Sequence, residues 1–413
     1  MKFIIDVTRQ PNTGIGNYSW KLLKLLTELD TKNKYLALVL PHLENFARTF
    51  TNHIIVLNNM PDSFDQIEKL SKKFDSSADV FIATNFSLPV FPEIPIIQVV
   101  HDPIMYLRHP EWQPTINDFY IRYGRKFVEL LLNYVLPLAK NNLKSYHNNV
   151  SSSIIRETET IVDEIYQTIF SYYILRASSI ITESKYVKQE LKYAYPSLKH
   201  IQEVYLYIDS HLCYLNQDRK IIWPKDILNL LYVANIEPRK NHKLLFDTCY
   251  ELFHTYKIKL DLTLLGKELY ASHLQEFNKL RSLYKDEFKI NRKFIKNREE
   301  MAKYYKNTDV FVFPSLEEGF AHPLLEAMDF QLPIVALKIA PTQEACQDAI
   351  LYVDSNSAPE FAKKIIHMLE SDIYEIKLKR KLKNRVRYLN KELSFHQFRK
   401  LIENTPNLKH SFI

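Results

Sequence analysis

The chain has 413 residues, of which 46% are apolar and 25% charged, and it carries a formal net charge of +7. That length is too great for one ordinary core and suits two domains of roughly 200 residues each. The composition excludes low-complexity and repeat architectures. Three scattered cysteines (Cys213, Cys249, Cys346) argue against a disulfide scaffold or a zinc cluster and fit a reducing cytosol.

The amino terminus enters a strand at once, without the apolar stretch and cleavage site of a signal peptide. No apolar run approaches the roughly 20 residues of a spanning helix. The longest, Phe127–Ala139, carries Glu129 and Asn133 and suits core or partner packing. Lys377–Lys391 is dense in basic residues: Lys377, Lys379, Arg380, Lys381, Lys383, Arg385, Arg387 and Lys391. Such a run is either a solvated helix face or a patch that meets anionic lipid headgroups. No nucleic-acid module accompanies it, so nucleic acid is not an expected partner.

Taken in order, Lys2–Val7 reads as the first strand, followed by a loop Thr8–Gly16 and an amphipathic helix from about Asn17 to Leu29. Tyr35–Leu40, Ile54–Leu57, Asp79–Ala83 and Ile96–Val100 are further strands, separated by polar or helical sequence in the alternation of an α/β sheet. His101-Asp102 ends the last of these. An imidazole there either bonds a sugar hydroxyl or is a loop histidine held by backbone. Residues 116–176 read as a largely helical insertion. Ile180–Thr182 is a short strand, Ser184 a helix cap, and Glu203–Tyr207 the last strand of a first domain spanning 1–215. Ser210–Lys225 reads as the linker.

A second alternating set, residues 216–395, begins with the strand Ile227–Val233 and the turn Ala234–Asn241. Leu260–Leu265 follows, then a helix near Ser272–Tyr284, a strand near Lys293–Ile295 and a helix ending near Asn307. Asp309–Phe313 leads into Pro314–Glu326, whose turn contains Gly319 and Phe320 and is bracketed by Glu318 and Glu326. Ile334–Leu337 and Ile350–Val353 are later strands. Helices run from about Ala358, and 396–413 forms a terminal helix and tail. Of only five glycines, Gly14, Gly16, Gly266 and Gly319 fall at strand–helix junctions, where a backbone reason for glycine is expected.

The polar candidates all lie at carboxyl ends of strands, where open α/β sheets bind ligands. Arg239 and Lys240 place positive charge where a pyrophosphate fits, although a Pro-Arg-Lys-Asn turn alone is commonly solvated surface. Carboxylates suit vicinal hydroxyls, so Glu326 matches a ribose and Glu318 a second sugar. The expected fold is two Rossmann-like, doubly wound domains facing across a cleft.

These residues together resemble the family 4 retaining glycosyltransferases, which have the GT-B fold and an E-x7-E signature. Glu318 and Glu326 match its two glutamates. Ile236–Asn241 is similar to its phosphate-binding turn, Gly14–Tyr18 to its glycine loop, His101-Asp102 to its His-Asp strand end, and Ser184 with Tyr186 and Lys188 to its serine-headed helix. The resemblance covers most of 1–355 and is weakest over 105–175. It implies that the amino-terminal domain is the acceptor side and the carboxy-terminal domain the donor side. It further implies that Glu318 contacts the donor sugar and Glu326 the ribose, that Arg239 and Lys240 hold the diphosphate, that Gly16 lies near the donor phosphates or acceptor, and that His101 sits by the transferred sugar. Gly319 and Phe320 belong to the same donor segment. His101, Glu318 and Lys240 are thus the expected catalytic set. No metal or other cofactor is expected, and no protein nucleophile.

The expected reaction moves a hexose, with mannose favoured, from a GDP- or UDP-linked sugar to a glycan or lipid-linked acceptor in cell-surface polysaccharide synthesis. A cytoplasmic location, peripheral to the anionic inner face of the membrane, accompanies it. Departures from the family pattern are Ala321 for a second glycine, then His322; Ala234 for a glycine after a strand; Leu206-Tyr207 for an Asn-Gly turn; and Gln331-Leu332-Pro333, which lacks another glycine. They support an alternative, a non-catalytic glycan-binding or scaffold subunit. A dehydrogenase is disfavoured because no GxGxxG follows a strand.

Overall fold

Short apolar runs separated by helices leave the strands only crossover connections, so they pair in parallel. In the computed structural model this produces two sheets in two compact units. The structure describes the whole chain except residues 12, 62, 87, 89, 102–108, 144–157, 159, 209–219, 296, 407 and 409–413.

The first unit comprises Met1–Tyr207 and Lys391–Ile413. Its strands are β1 (Lys2–Asp6), β2 (Lys34–Val39), β3 (Ile54–Val56), β4 (Val80–Ala83), β5 (Ile96–Val100), β6 (Ser179–Thr182) and β7 (Ile201–Glu203). They lie in the order β3-β2-β1-β4-β5-β6-β7, all parallel. Side chains alternate between the faces. Phe3 and Ile5 join a core with Leu22, Leu23 and Leu26 of the first helix, while Ile4 joins Leu38, Phe74 and Phe81 on the other face. Helices Ile116–Tyr123, Arg125–Leu130, Leu136–Leu143 and Ile161–Arg176 occupy the expected insertion, with their own core around Phe119, Val128 and Ile165.

Three expectations are corrected here. The first helix starts at Gly14, not near Asn17, because Thr13 Oγ1 accepts from the Gly16 N–H at 3.1 Å and caps it. Gly14-Ile15-Gly16 is therefore a helical turn and not a loop. The last strand of this sheet is Ile201–Glu203, not Glu203–Tyr207. Beyond it the backbone is bonded by side chains: Gln397 Oε1 accepts from the Tyr205 N–H (3.0 Å), Ser394 Oγ donates to the Tyr205 carbonyl (2.7 Å), and Tyr18 donates to the Val204 carbonyl (3.1 Å). Ser394 and Gln397 belong to the helix Lys391–Asn404, so the chain's last segment, 391–413, is part of the first unit.

The second unit, Ile208–Asn390, contains β8 (Leu228–Val233), β9 (Leu260–Leu265), β10 (Lys289–Lys293), β11 (Val310–Phe313), β12 (Ile334–Leu337) and β13 (Leu351–Val353). Their order is β10-β9-β8-β11-β12-β13, again all parallel. The strand expected near Lys293–Ile295 is β10, displaced to Lys289–Lys293. It is a polar edge strand fixed by its register to β9 (Lys289 to Asp261, Lys293 to Leu265) rather than by apolar alternation. Cys249 and Cys346 are buried here as free thiols, which burial makes hard to ionise. Cys213 and Asp102 lie outside the described residues.

The basic run folds into the helix Lys379–Tyr388 after a π turn at Tyr374–Leu378. Part of its charge is used internally. Arg385 is buried and donates to the carbonyls of Ala345 (2.8 Å) and Glu344 (2.7 Å), near the end of the helix Ala340–Cys346. Lys379 pairs with Glu375 at 3.0 Å and Lys381 with Asp348. Lys377, Arg380 and Arg387 are exposed. Among the described residues, no helix is long and apolar enough to cross a membrane.

Candidate functional site

In each sheet the strand order reverses once beside the first strand, at β1/β4 and at β8/β11. Such switch points open a crevice at the strands' carboxyl ends. The sequence candidates divide between the two.

In the second unit β8 runs into a 3₁₀ turn, Pro238–Lys240, and β11 into Pro314–Ala321. The two turns are fastened together. The Leu316 N–H donates to the Arg239 carbonyl (2.9 Å), Tyr232 OH to the Lys240 carbonyl (2.9 Å), and Asn241 Nδ2 to the Pro314 carbonyl (3.1 Å). Tyr232 OH also lies 2.8 Å from Ser315 Oγ. The fastening brings Arg239, Lys240 and Glu318 together. Lys240 Nζ is 2.6 Å from Glu318 Oε1, and Arg239 Nη1 is 3.2 Å from Glu318 Oε2. Arg239 Nε donates to Glu237 at 2.8 Å, and its Nη1 also reaches the Glu317 carbonyl at 3.1 Å.

Glu237, Arg239, Lys240 and Glu318 thus form a buried quartet with two charges of each sign; none of these residues is more than 8% exposed. Burial by itself pushes the Glu318 carboxyl up, but Lys240 and Arg239 outweigh it and hold the group below its ordinary range. Glu237 is held low in the same way. Next door, burial drives His242 down to about 3, helped by Lys240 and Arg292 and opposed by Glu237, so this histidine is neutral. The buried Tyr232 phenol is raised well above its ordinary value by burial and by the Glu318 charge.

Glu326 is not part of this quartet. It lies in the helix His322–Asp329, half-buried, and its Oε2 accepts from Tyr305 OH at 2.8 Å. Gly319 and Phe320 are buried, and Phe320 stands edge-on to His322. Ala321 adopts the left-handed conformation (φ 61°, ψ 53°) and Gln331 has φ 52°. Two of the departures from the family pattern therefore keep a backbone that glycine favours, whereas Ala234, Leu206 and Tyr207 do not. Gly266 answers to space: a Cβ there would lie 1.9 Å from the Ala234 carbonyl oxygen.

In the first unit His101 follows β5, between the ends of β4 and β6. Its Nε2 lies 2.9 Å from the Thr84 carbonyl and its Nδ1 meets the Glu183 carboxyl group. A carbonyl only accepts, so Nε2 carries hydrogen and donates to Thr84. Tyr18 packs edge-on against the ring at 5.3 Å. Gly16 lies in the same helix as Tyr18, and a Cβ on it would come within 1.8 Å of the Gln10 carbonyl oxygen. Asp6, at the end of β1, is fully buried and accepts from Thr8 and from Asn85 Nδ2.

Sequence reasoning missed Glu237, Tyr232, Ser315 and Glu183. Glu237 alone carried a usable signal, being a carboxylate two residues before a candidate arginine.

Residues 215–388 match the family model described as Glycosyl transferases group 1. The match coincides with the second unit and contains the whole quartet. O-antigen chain mannosyltransferase B of Escherichia coli is 34% identical over 74 residues, which is 18% of this chain and 19% of that protein. Among solved structures, HepE of Anabaena in complex with UDP and glucose superposes with a TM-score of 0.66 at 13% identity, covering 98% of this chain and 100% of that one. A glycosyltransferase from Rickettsia africae gives 0.64 at 14% identity, covering 98% and 99%. Sucrose-phosphate synthase from Thermosynechococcus elongatus gives 0.60 at 16%, covering 97% of each. At these identities the likeness is one of fold, and the fold is GT-B.

Proposed function

We propose that this chain is a retaining hexosyltransferase of the E-x7-E type. It would take a sugar, mannose being favoured, from a GDP- or UDP-linked donor and place it on a glycan or lipid-linked acceptor in cell-surface polysaccharide synthesis. One observation carries the reading. The paired cations Arg239 and Lys240 stand at the switch point of the second sheet, against Glu318, within the segment that matches the glycosyltransferase family. The local likeness to a mannosyltransferase supports the donor class, and the UDP bound by HepE, a relative in fold, supports a nucleotide-linked donor.

In this reading Arg239 and Lys240 stabilise the negative charge that develops on the departing diphosphate, a fixed electrostatic contribution needing no metal. Glu318 accepts hydroxyls of the transferred sugar, Glu326 those of the ribose, and Gly319 and Phe320 shape the turn between them. Attack occurs on the face from which the diphosphate leaves, with a phosphate oxygen taking the acceptor's proton. Within the first unit, Gly16 and His101 are the residues that the same family resemblance assigns to the reaction. The exposed Lys377, Arg380 and Arg387 fit peripheral contact with an anionic membrane on its cytoplasmic side.

The test is a thermal-shift screen of nucleotide sugars followed by a nucleoside-diphosphate release assay with added acceptors. Donor-dependent stabilisation and acceptor-dependent release are expected in the wild type. Lys240→Ala and Glu326→Ala should weaken donor binding. Wild-type donor affinity in both variants would overturn the site assignment, and binding without release would favour the scaffold reading.

A further inference from the structure

We infer that Glu318 is an internal stand-in for the donor's diphosphate: it occupies Arg239 and Lys240 until a nucleotide sugar displaces it, and then turns to the sugar. This rests on the function proposed above and concerns how the same site distinguishes intact donor from spent nucleotide.

Three observations carry it. First, the cations that would receive a diphosphate are already neutralised. Both oxygens of Glu318 are engaged, at 2.6 Å by Lys240 and at 3.2 Å by Arg239, and the quartet with Glu237 sums to zero charge. An arriving anion gains little from cations whose charge is already met, so binding requires Glu318 to withdraw. Second, the quartet's members are held unequally. Glu237 and the cations belong to the 3₁₀ turn and its lead-in, with the carbonyls of Arg239 and Lys240 bonded to Leu316 and Tyr232. Glu318 stands farther along Pro314–Ala321, immediately before Gly319, and is the member whose departure leaves those bonds intact. When it leaves, Arg239 keeps Glu237 on its Nε. Third, Glu318 is buried. A displaced carboxylate beside a bound diphosphate is an uncompensated buried anion unless hydroxyl hydrogens reach it.

A nucleotide sugar supplies both replacements, phosphate oxygens for the cations and sugar hydroxyls for the carboxylate. A nucleoside diphosphate supplies only the first, with more negative charge. Glu318 therefore selects against the spent nucleotide and returns to its cations as that product leaves.

The experiment is calorimetric titration of the full chain with UDP and GDP, and with UDP-glucose and GDP-mannose, for wild type, Glu318→Gln and Glu318→Asp. Glu318→Gln keeps the shape and removes the charge. It should bind the nucleoside diphosphate about tenfold more tightly than wild type, with no such gain for the nucleotide sugar, so that discrimination between them collapses. Glu318→Asp retains the charge but draws it back by about 1.5 Å, and should fall between the two. It carries the test if Glu318→Gln does not fold, as judged by circular dichroism. Unchanged or weaker diphosphate binding in the folded variants overturns the inference. Wild-type protein that binds neither nucleoside diphosphates nor nucleotide sugars overturns the donor-site reading instead.

Discussion

Lys240→Met tests whether the quartet is the tightly balanced unit its geometry indicates. The substitution keeps most of the stem and removes the ammonium 2.6 Å from Glu318. Two carboxylates then share the Arg239 guanidinium, leaving a net charge of −1 among side chains at most 8% exposed. Removing one partner of a buried pair costs about 3–5 kcal/mol. At about 2–4 °C per kcal/mol for a unit of this size, the Tm should fall by about 6–20 °C. The pH dependence has a definite sign. Glu318 is held below its ordinary value of 4.5 in the fold, so its contribution is complete above that value and is lost as pH falls through the folded one. The gap between Lys240→Met and wild type should therefore narrow in acid, where protonation of Glu318 relieves the imbalance. Lys240→Met with Glu318→Gln restores neutrality and should recover at least half of the loss, a coupling read by calorimetric melting of all four proteins. A wild-type melting curve for Lys240→Met, or strictly additive losses, would refute the argument.

Ala321→Gly should raise stability by about 1 kcal/mol, because the left-handed backbone that alanine now adopts at φ 61° is open to glycine without steric cost; chemical denaturation measures it. Gly266→Ala should cost about 1–3 kcal/mol or prevent folding, since its Cβ would sit 1.9 Å from the Ala234 carbonyl oxygen. His242 is depressed to about 3, against 6.5 in the unfolded chain, so its stabilising contribution is complete above pH 6.5 and is lost as pH falls toward 3. Wild type should lose about 1.4 kcal/mol per pH unit across that window from this group, and His242→Leu should flatten the slope in denaturant melts taken from pH 7 to 4.

The central strands were legible because a parallel strand buried on both faces is a short, largely apolar run, as Ile96–Val100 and Val310–Phe313 are. β10 was displaced because Lys289–Lys293 has no such run and is placed by a neighbour. Arg239, Lys240 and Glu318 were visible as residue types at strand ends, yet their mutual neutralisation was not, since it depends on two turns 78 residues apart being bonded through Leu316 and Tyr232. The partners of His101 come from positions 84 and 183, on either side of it in the sheet and distant in the chain. The scarcity of glycine was legible. Its consequence was not, because Gly16 and Gly266 are held by close approach, and among the described residues positive φ falls to Asn241, Lys257, Ala321, Gln331 and Gln347 as well as to Gly124.

The carboxy-terminal helix has a consequence for biosynthesis. The first unit is discontinuous, and Tyr205 is bonded by Ser394 and Gln397, which leave the ribosome only after the whole of Ile208–Asn390. At about 5–20 residues per second, residues 1–207 wait about 10–40 s for that partner while the second unit emerges and folds. The later-made unit is therefore completed first, and through that interval the far edge of the first sheet is open to chaperones.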